Sequence, residues 1–130
     1  HHGFDDALYA GLRLAEVASY HDGTFSSMLR DIPQMYSTPE MRIDFPEEEK
    51  FKFIEQFTKF MESSMSSSHR LVTVDGIRIE TDDGWALVRA SNTQPALTIR
   101  FEANSEKNLK ELMQYVQKEI SKVTDKICIF

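Results

Sequence analysis

Two arginines, Arg89 and Arg100, flank the polar run Ser91-Asn92-Thr93-Gln94-Pro95 inside the stretch from Asp82 to Ala103. The forked donors of arginine suit phosphate or carboxylate better than those of any other side chain, and two adjacent guanidinium groups repel unless an anion lies between them. Hydroxyl, carboxamide and backbone N–H groups in a turn-rich loop add the concave donor cluster that binds an oxyanion without a helix terminus. Oxyanion binding is therefore the chemistry these residues suit. The plain alternative is two solvated arginines on an exposed sheet face, where arginine is common.

Alternation decides which way these side chains point. Asp83-Gly84 is a turn signal, and 85–90 and 97–102 are strand-like runs joined by the loop. With a loop of Ser91–Ala96, Ala90 faces Leu97 and Arg89 faces Thr98. One side of the pair then collects Ala86, Val88, Ala90, Leu97, Ile99 and Phe101, the core face. The other carries Trp85, Leu87, Arg89, Thr98 and Arg100, with the two arginines as diagonal neighbours beside the hydroxyls of Ser91 and Thr93.

The run from Asp83 to Pro95, Asp-Gly-Trp-Ala-Leu-Val-Arg-Ala-Ser-Asn-Thr-Gln-Pro, followed by Arg100-Phe101-Glu102-Ala103, resembles the phosphate-binding loop of the α-D-phosphohexomutases. Arg-Ala-Ser-Asn-Thr-x-Pro looks most like the phosphomannomutase/phosphoglucomutase branch, with Asn92 as the marker where other branches carry Ser-Gly-Thr. Tyr36-Ser37-Thr38-Pro39-Glu40-Met41-Arg42-Ile43 resembles the start of that family's last domain, and Phe4 to Ala10 the end of its third.

The resemblance implies a C-terminal piece of a mutase: residues 1–31 from the third domain, 32–39 a linker, and 40–130 the last domain, of α+β, TATA-box-binding-protein-like fold. It implies that a phosphoserine in the absent first domain exchanges phosphate with a hexose phosphate through a bisphosphate, interconverting hexose 1-phosphate and hexose 6-phosphate. Mg2+ is implied for the parent enzyme, with no cofactor in this piece. The last domain would hold the non-reacting phosphate of mannose or glucose 1- or 6-phosphate, with Arg89, Ser91, Asn92 and Thr93 matching the binding motif and Arg100 a supporting arginine. The remaining domains of the parent chain are the other expected partner.

No metal loop of Asp-Gly-Asp-Gly-Asp type, no nucleophilic serine in the family's context and no Gly-Glu-Met-Ser-Gly-like sugar loop occur in the chain. No catalytic or metal residue is therefore expected here, and the chain alone is expected to lack mutase activity. A stand-alone anion-binding or protein-interaction module without catalysis is the alternative.

The 130 residues suffice for one modest core plus an appended piece. A net charge of −6 argues against a general nucleic-acid or anionic-membrane binder, so the positive site must be local. No apolar run reaches membrane-span length, and the single cysteine, Cys128, cannot close an intramolecular disulfide, as expected of a cytoplasmic protein. His1 and His2 look like a tag remnant, and His21 and His69 fall in no ligand spacing.

The remaining elements must position the loop. A helix capped by Asp5 or Asp6 runs to about Ser19 with Leu8, Leu12 and Ala15 at helical spacing, and Thr24 opens a second short helix that Pro33 ends. Met41, Ile43 and Phe45 alternate as a strand. Pro46 and Glu47 to Glu49 mark a helix start, with Phe53, Ile54, Phe57, Phe60 and Met61 as its apolar stripe. The run Ser63 to His69, with five serines, is expected as a mobile connection. Leu71–Val74 and Ile77–Glu80 flank an Asp75-Gly76 hairpin turn. Ser105 caps a last helix carrying Leu109, Leu112, Met113, Val116, Ile120 and Val123, and the apolar end 127–130 is an extra edge-strand candidate. The expected architecture is α+β: a four-stranded antiparallel sheet with two helices on one face, preceded by two short helices.

Overall fold

The computed structural model describes residues 5–66 and 68–127. The chain divides into two compact units, His1–Pro33 and Gln34–Phe130. In the first, Asp6 caps α1 (Ala7–Ser19) by accepting from the Tyr9 N–H at 2.9 Å. A 3-10 turn covers Phe25–Leu29. No residue of either element is buried, and Leu8, Leu12, Tyr20, Leu29 and Ile32 are more than half exposed.

The second unit is α+β: strands β1 (Tyr36–Ser37), β2 (Met41–Asp44), β3 (Arg70–Val72), β4 (Ile77–Glu80), β5 (Gly84–Ala90) and β6 (Ala96–Ala103), with helices α2 (Lys50–Ser64) and α3 (Glu106–Ser121). All pairings are antiparallel, in the order β1-β6-β5-β4-β3, with β2 also on β6. The sheet thus has six strands where four were expected. Tyr36–Ser37, inside the segment expected as linker, pairs with Ala103 and Glu102, and Met41–Asp44 pairs with Ala96–Ile99 on the same edge of β6. Pro39 separates the two because it has no N–H to give the ladder, which confines it to an edge. Thr38 bridges the gap, its N–H donating to the Phe101 carbonyl at 3.0 Å and its Oγ1 accepting from the Phe101 N–H at 3.1 Å.

The β5–β6 register pairs Ala90 with Leu97 and Arg89 with Thr98, so the alternation places the faces as the sequence predicts. Ala86, Val88, Leu97, Ile99 and Phe101 are fully buried, joined on the same face by Ile77 and Ile79 of β4. Phe53, Phe57 and Met61 of α2 and Leu112, Val116 and Ile120 of α3 complete this core. Burial of side chains of this size stabilises by roughly 1.5–3 kcal/mol each before chain entropy is counted. Ser105 caps α3, accepting from the Asn108 N–H at 3.2 Å.

Three local expectations shift. α2 begins at Lys50 rather than at Pro46, because 46–49 form a turn whose Pro46 carbonyl accepts from Glu49 and Lys50. The connection between β3 and β4 is the four residues Thr73–Gly76 rather than two, with Val74 outside the strand and 92% exposed. Ser63 and Ser64 close α2, both hydroxyls donating to the Phe60 carbonyl, so part of the serine run is helical. His1, His2, Phe4, Ser67 and 128–130, with Cys128 and most of the proposed edge strand, lie outside the described residues. Ile127 is buried in the core.

Candidate oxyanion site

The β5–β6 hairpin closes on a loop held by its own backbone. The Ser91 N–H donates to the Ala96 carbonyl at 2.9 Å, the Ala96 N–H to the Gln94 carbonyl at 2.8 Å, and the Thr93 N–H reaches Ser91 Oγ at 3.4 Å. Two further elements grip the loop's far end: the Phe45 N–H donates to the Pro95 carbonyl at 2.9 Å, and Lys50 Nζ donates to the Gln94 carbonyl at 2.8 Å. Asn92 and Thr93 are exposed at the tip. Among the described residues nothing engages the Asn92 carboxamide, which leaves it available to a ligand.

Beside this loop opens a pocket of about 260 Å³. Ser91–Gln94 form one side, Arg89 and Thr98 come from β5 and β6, and Glu40 and Arg42 come from the β1–β2 edge. Strand register explains the convergence: Thr98 pairs with Arg89 on one side and with Arg42 on the other, so two guanidinium groups flank one threonine across three strands. Arg89 is spread over three partners. Its Nε donates to Thr98 Oγ1 at 3.0 Å, Nη1 pairs with Asp75 Oδ2 at 3.1 Å, and Nη2 stands 3.8 Å from Glu40 Oε2. Arg42 points Nε at Glu40 Oε1 at 3.3 Å and Nη1 at Gln94 Oε1 at 3.3 Å. The Glu40 carboxylate therefore lies between the two arginines and offsets their mutual repulsion.

The structure brings together Arg89, Ser91, Asn92 and Thr93 but not Arg100. Arg100 pairs with Leu87, one strand pair further from the loop, is exposed, and is not part of the pocket wall. The second pocket arginine is Arg42, on the strand that pairs with the other edge of β6. The signal that could have located it is the alternation of Met41, Ile43 and Phe45, which turns Arg42 away from the core. The rest of the open face carries Trp85, whose ring lies 4.0 Å from the Arg78 guanidinium and whose Nε1 donates to Glu102 at 3.3 Å. Among the described residues no group of three or more His, Cys, Asp or Glu side chains could hold a metal ion, and no helix is long and apolar enough to cross a membrane.

Residues 40–119 match the family model described as phosphoglucomutase/phosphomannomutase, C-terminal domain. A phosphomannomutase/phosphoglucomutase of Pseudomonas putida is 35% identical over 122 residues, covering 94% of this chain and 26% of that protein. A phosphoglucomutase of Neisseria gonorrhoeae is 40% identical over 111 residues, covering 85% of this chain and 24% of that protein. A crystal structure of a phosphoglucomutase/phosphomannomutase family protein from Burkholderia thailandensis superposes with a TM-score of 0.80 at 30% identity, covering 98% of this chain and 26% of that one. The chain thus spans about a quarter of the length of the relatives it matches.

Proposed function

Because the chain belongs to the phosphoglucomutase/phosphomannomutase family, we propose that its second unit binds the non-reacting phosphate of a hexose 1- or 6-phosphate within a larger mutase. The observation that carries this reading is the convergence of Arg89, Arg42 and the Ser91–Thr93 donors on one 260 Å³ pocket. A phosphate dianion suits it through charge-assisted hydrogen bonds from two guanidinium forks, with hydroxyl and amide donors covering the remaining oxygens. Thr98 and Asp75 restrain Arg89 before a ligand arrives, which lowers the ordering cost of binding.

A site remote from the chemistry has a definite task. Holding one phosphate orients the other end of the sugar, and orientation is worth up to roughly 7–11 kcal/mol in the best intramolecular models. A donor set that reads only the oxyanion tolerates a sugar presented either way round, as a reaction that turns a bisphosphate over demands. In this proposal the phosphoserine and a Mg2+ belong to the rest of the parent protein, and no metal-linked step is assigned to these residues. Mannose 1-phosphate and mannose 6-phosphate are therefore expected not to interconvert on this chain alone. The cytoplasm, where hexose phosphates are handled, is the proposed location.

The test is a nuclear magnetic resonance titration of the 130-residue chain with glucose 1-phosphate and mannose 1-phosphate. The amides of Ser91–Gln94 and the Arg89 and Arg42 Nε–H signals are expected to shift with both, and not with unphosphorylated glucose. Shifts that glucose produces equally well, or that leave the loop unmoved, would refute the assignment.

A further inference from the structure

Lys50 opens α2, yet its side chain is fully buried. Lysine is almost never buried without a partner, since an ammonium loses hydration on burial and has three donors to place. Two of its contacts are specific. Nζ donates to Glu47 Oε2 at 2.7 Å and to the Gln94 carbonyl at 2.8 Å. The same carbonyl accepts from the Ala96 N–H at 2.8 Å. Gln94 is the last loop residue before Pro95, and its side chain faces Arg42 in the pocket. A buried charge in the helix is thus tied to the backbone of a loop whose other face is exposed.

The core does not require a charge at this position. A carbonyl already served by one N–H tolerates loss of a second donor, and Glu47, 60% exposed, can be hydrated alone. A charge kept at such a place acts through what it holds, and it holds the end of the oxyanion loop. We propose that Lys50 is a positioning residue that fixes the Ser91–Gln94 loop in its binding conformation before the phosphate arrives, through the Gln94 carbonyl and without touching the ligand. This rests on the phosphate-site reading above. By this account the loop needs no ordering when phosphate enters, and binding keeps the free energy that ordering would consume.

The test compares the wild-type chain with Lys50→Met, which keeps the length of the side chain and removes its donors. Amide hydrogen exchange without ligand is read first, so that the tether is judged independently of phosphate binding. Exchange at Ser91 and Ala96, whose N–H groups close the loop on the Ala96 and Gln94 carbonyls, is expected to quicken tenfold or more, while the buried amides of α3 and of β5 and β6 beyond the loop are unchanged. Glucose 1-phosphate is then expected to bind about tenfold more weakly, and Glu47→Gln, which keeps the Gln94 contact, to bind within threefold of wild type. Loop exchange unchanged in Lys50→Met, or quickened equally across the sheet, overturns the positioning role even if wild type binds glucose 1-phosphate. Absence of loop shifts in wild type overturns the phosphate reading instead, whatever the exchange shows. Should Lys50→Met fail to fold, the wild-type Lys50 ammonium decides: slowly exchanging protons with a scalar coupling to the Gln94 carbonyl carbon are expected, and an ammonium averaged with solvent overturns the tether.

Discussion

Arg89 on β5 and Thr98 on β6 face each other across the hairpin, and Nε of the arginine donates to Oγ1 of the threonine at 3.0 Å. Thr98 is 6% exposed, so its hydroxyl is fixed by the sheet and aims the fork of Arg89 along the pocket. A guanidinium aimed in advance loses less freedom when it grips a phosphate than one that must be gathered from solvent.

Thr98→Val removes that acceptor while keeping a β-branched residue suited to a central strand. A typical net hydrogen bond of about 0.5–1.5 kcal/mol corresponds to a loss of about 2- to 10-fold in glucose 1-phosphate affinity. Titration calorimetry gives the affinity, and thermal unfolding checks that the fold persists. An unchanged affinity would show that Thr98 does not orient Arg89.

Arg89→Ala is expected to cause the largest loss of phosphate binding in the chain, because it removes paired charge-assisted donors worth roughly 1.5–3 kcal/mol each. Arg89→Lys should recover part of it, since a point charge restores attraction without the planar fork. Arg42→Ala should weaken binding more than Arg100→Ala, for Arg42 lines the pocket and Arg100 does not. In the larger mutase proposed above, the same order should appear in kcat/KM. A larger effect at Arg100 would move the site along β6.

Glu40 occupies the space between Arg42 and Arg89, at 3.3 and 3.8 Å, and must yield when a dianion enters. Glu40→Gln should therefore tighten glucose 1-phosphate binding by about 2- to 5-fold at low salt, with the gain shrinking as ionic strength rises and exposed charges are screened. Weaker binding in Glu40→Gln would mean that the carboxylate orients the arginines rather than competing for them.

Much of this was legible in the sequence because β-strand side chains alternate. Once the loop was bounded at Ser91 and Ala96, the partners Ala90–Leu97 and Arg89–Thr98 and the buried face followed, and the structure has that register. The apolar stripes of α2 and α3 were equally plain, because helical spacing puts Phe53, Phe57 and Met61 on one side, as it does Leu112, Val116 and Ile120. Of the residues not foreseen at the site, Arg42 and Lys50 meet the loop across 52 and 44 positions of chain respectively. Such contacts depend on which strand takes the free edge of β6 and how α2 crosses the sheet, and no local pattern encodes either. Lys50 also violates the general rule that a lysine lies outside, so composition directs attention away from it.

Tyr115 offers a check at alkaline pH. Burial, and secondarily the nearby Glu119 carboxylate, raises its pKa above the ordinary tyrosine value of 10.0. The folded chain thus holds this proton after the unfolded chain has released it, so the contribution is intact below the unfolded pKa and is lost as pH rises through the folded one. Tyr115→Phe should unfold with a shallower loss of stability above about pH 10 in urea titrations, as the phenol is gone from both states. Parallel slopes for the two proteins would assign the alkaline limb to other groups.

Gly76 and Gly84 separate stability from binding. Gly76 ends the β3–β4 connection with φ at 79°, and a Cβ there would stand 2.4 Å from the Val88 carbonyl oxygen and 2.6 Å from Arg89 Cβ. Gly84 opens β5, where a Cβ would stand 2.2 Å from the Glu102 carbonyl oxygen and 2.7 Å from Ala103 Cα. Both are therefore closed to a side chain, the first by backbone conformation as well as by contact. Gly76→Ala and Gly84→Ala are each expected to cost about 1–3 kcal/mol, and each kcal/mol lowers Tm by about 4–8 °C in a unit of this size. Their consequences for phosphate diverge. Relief at Gly76 must displace Asp75 or Arg89, which are joined at 3.1 Å, whereas relief at Gly84 acts at the opposite end of β5. Below their unfolding temperatures, Gly76→Ala should bind glucose 1-phosphate at least threefold more weakly than wild type, and Gly84→Ala should match wild type. Equal affinity in the two variants would show that the Asp75 turn does not position Arg89.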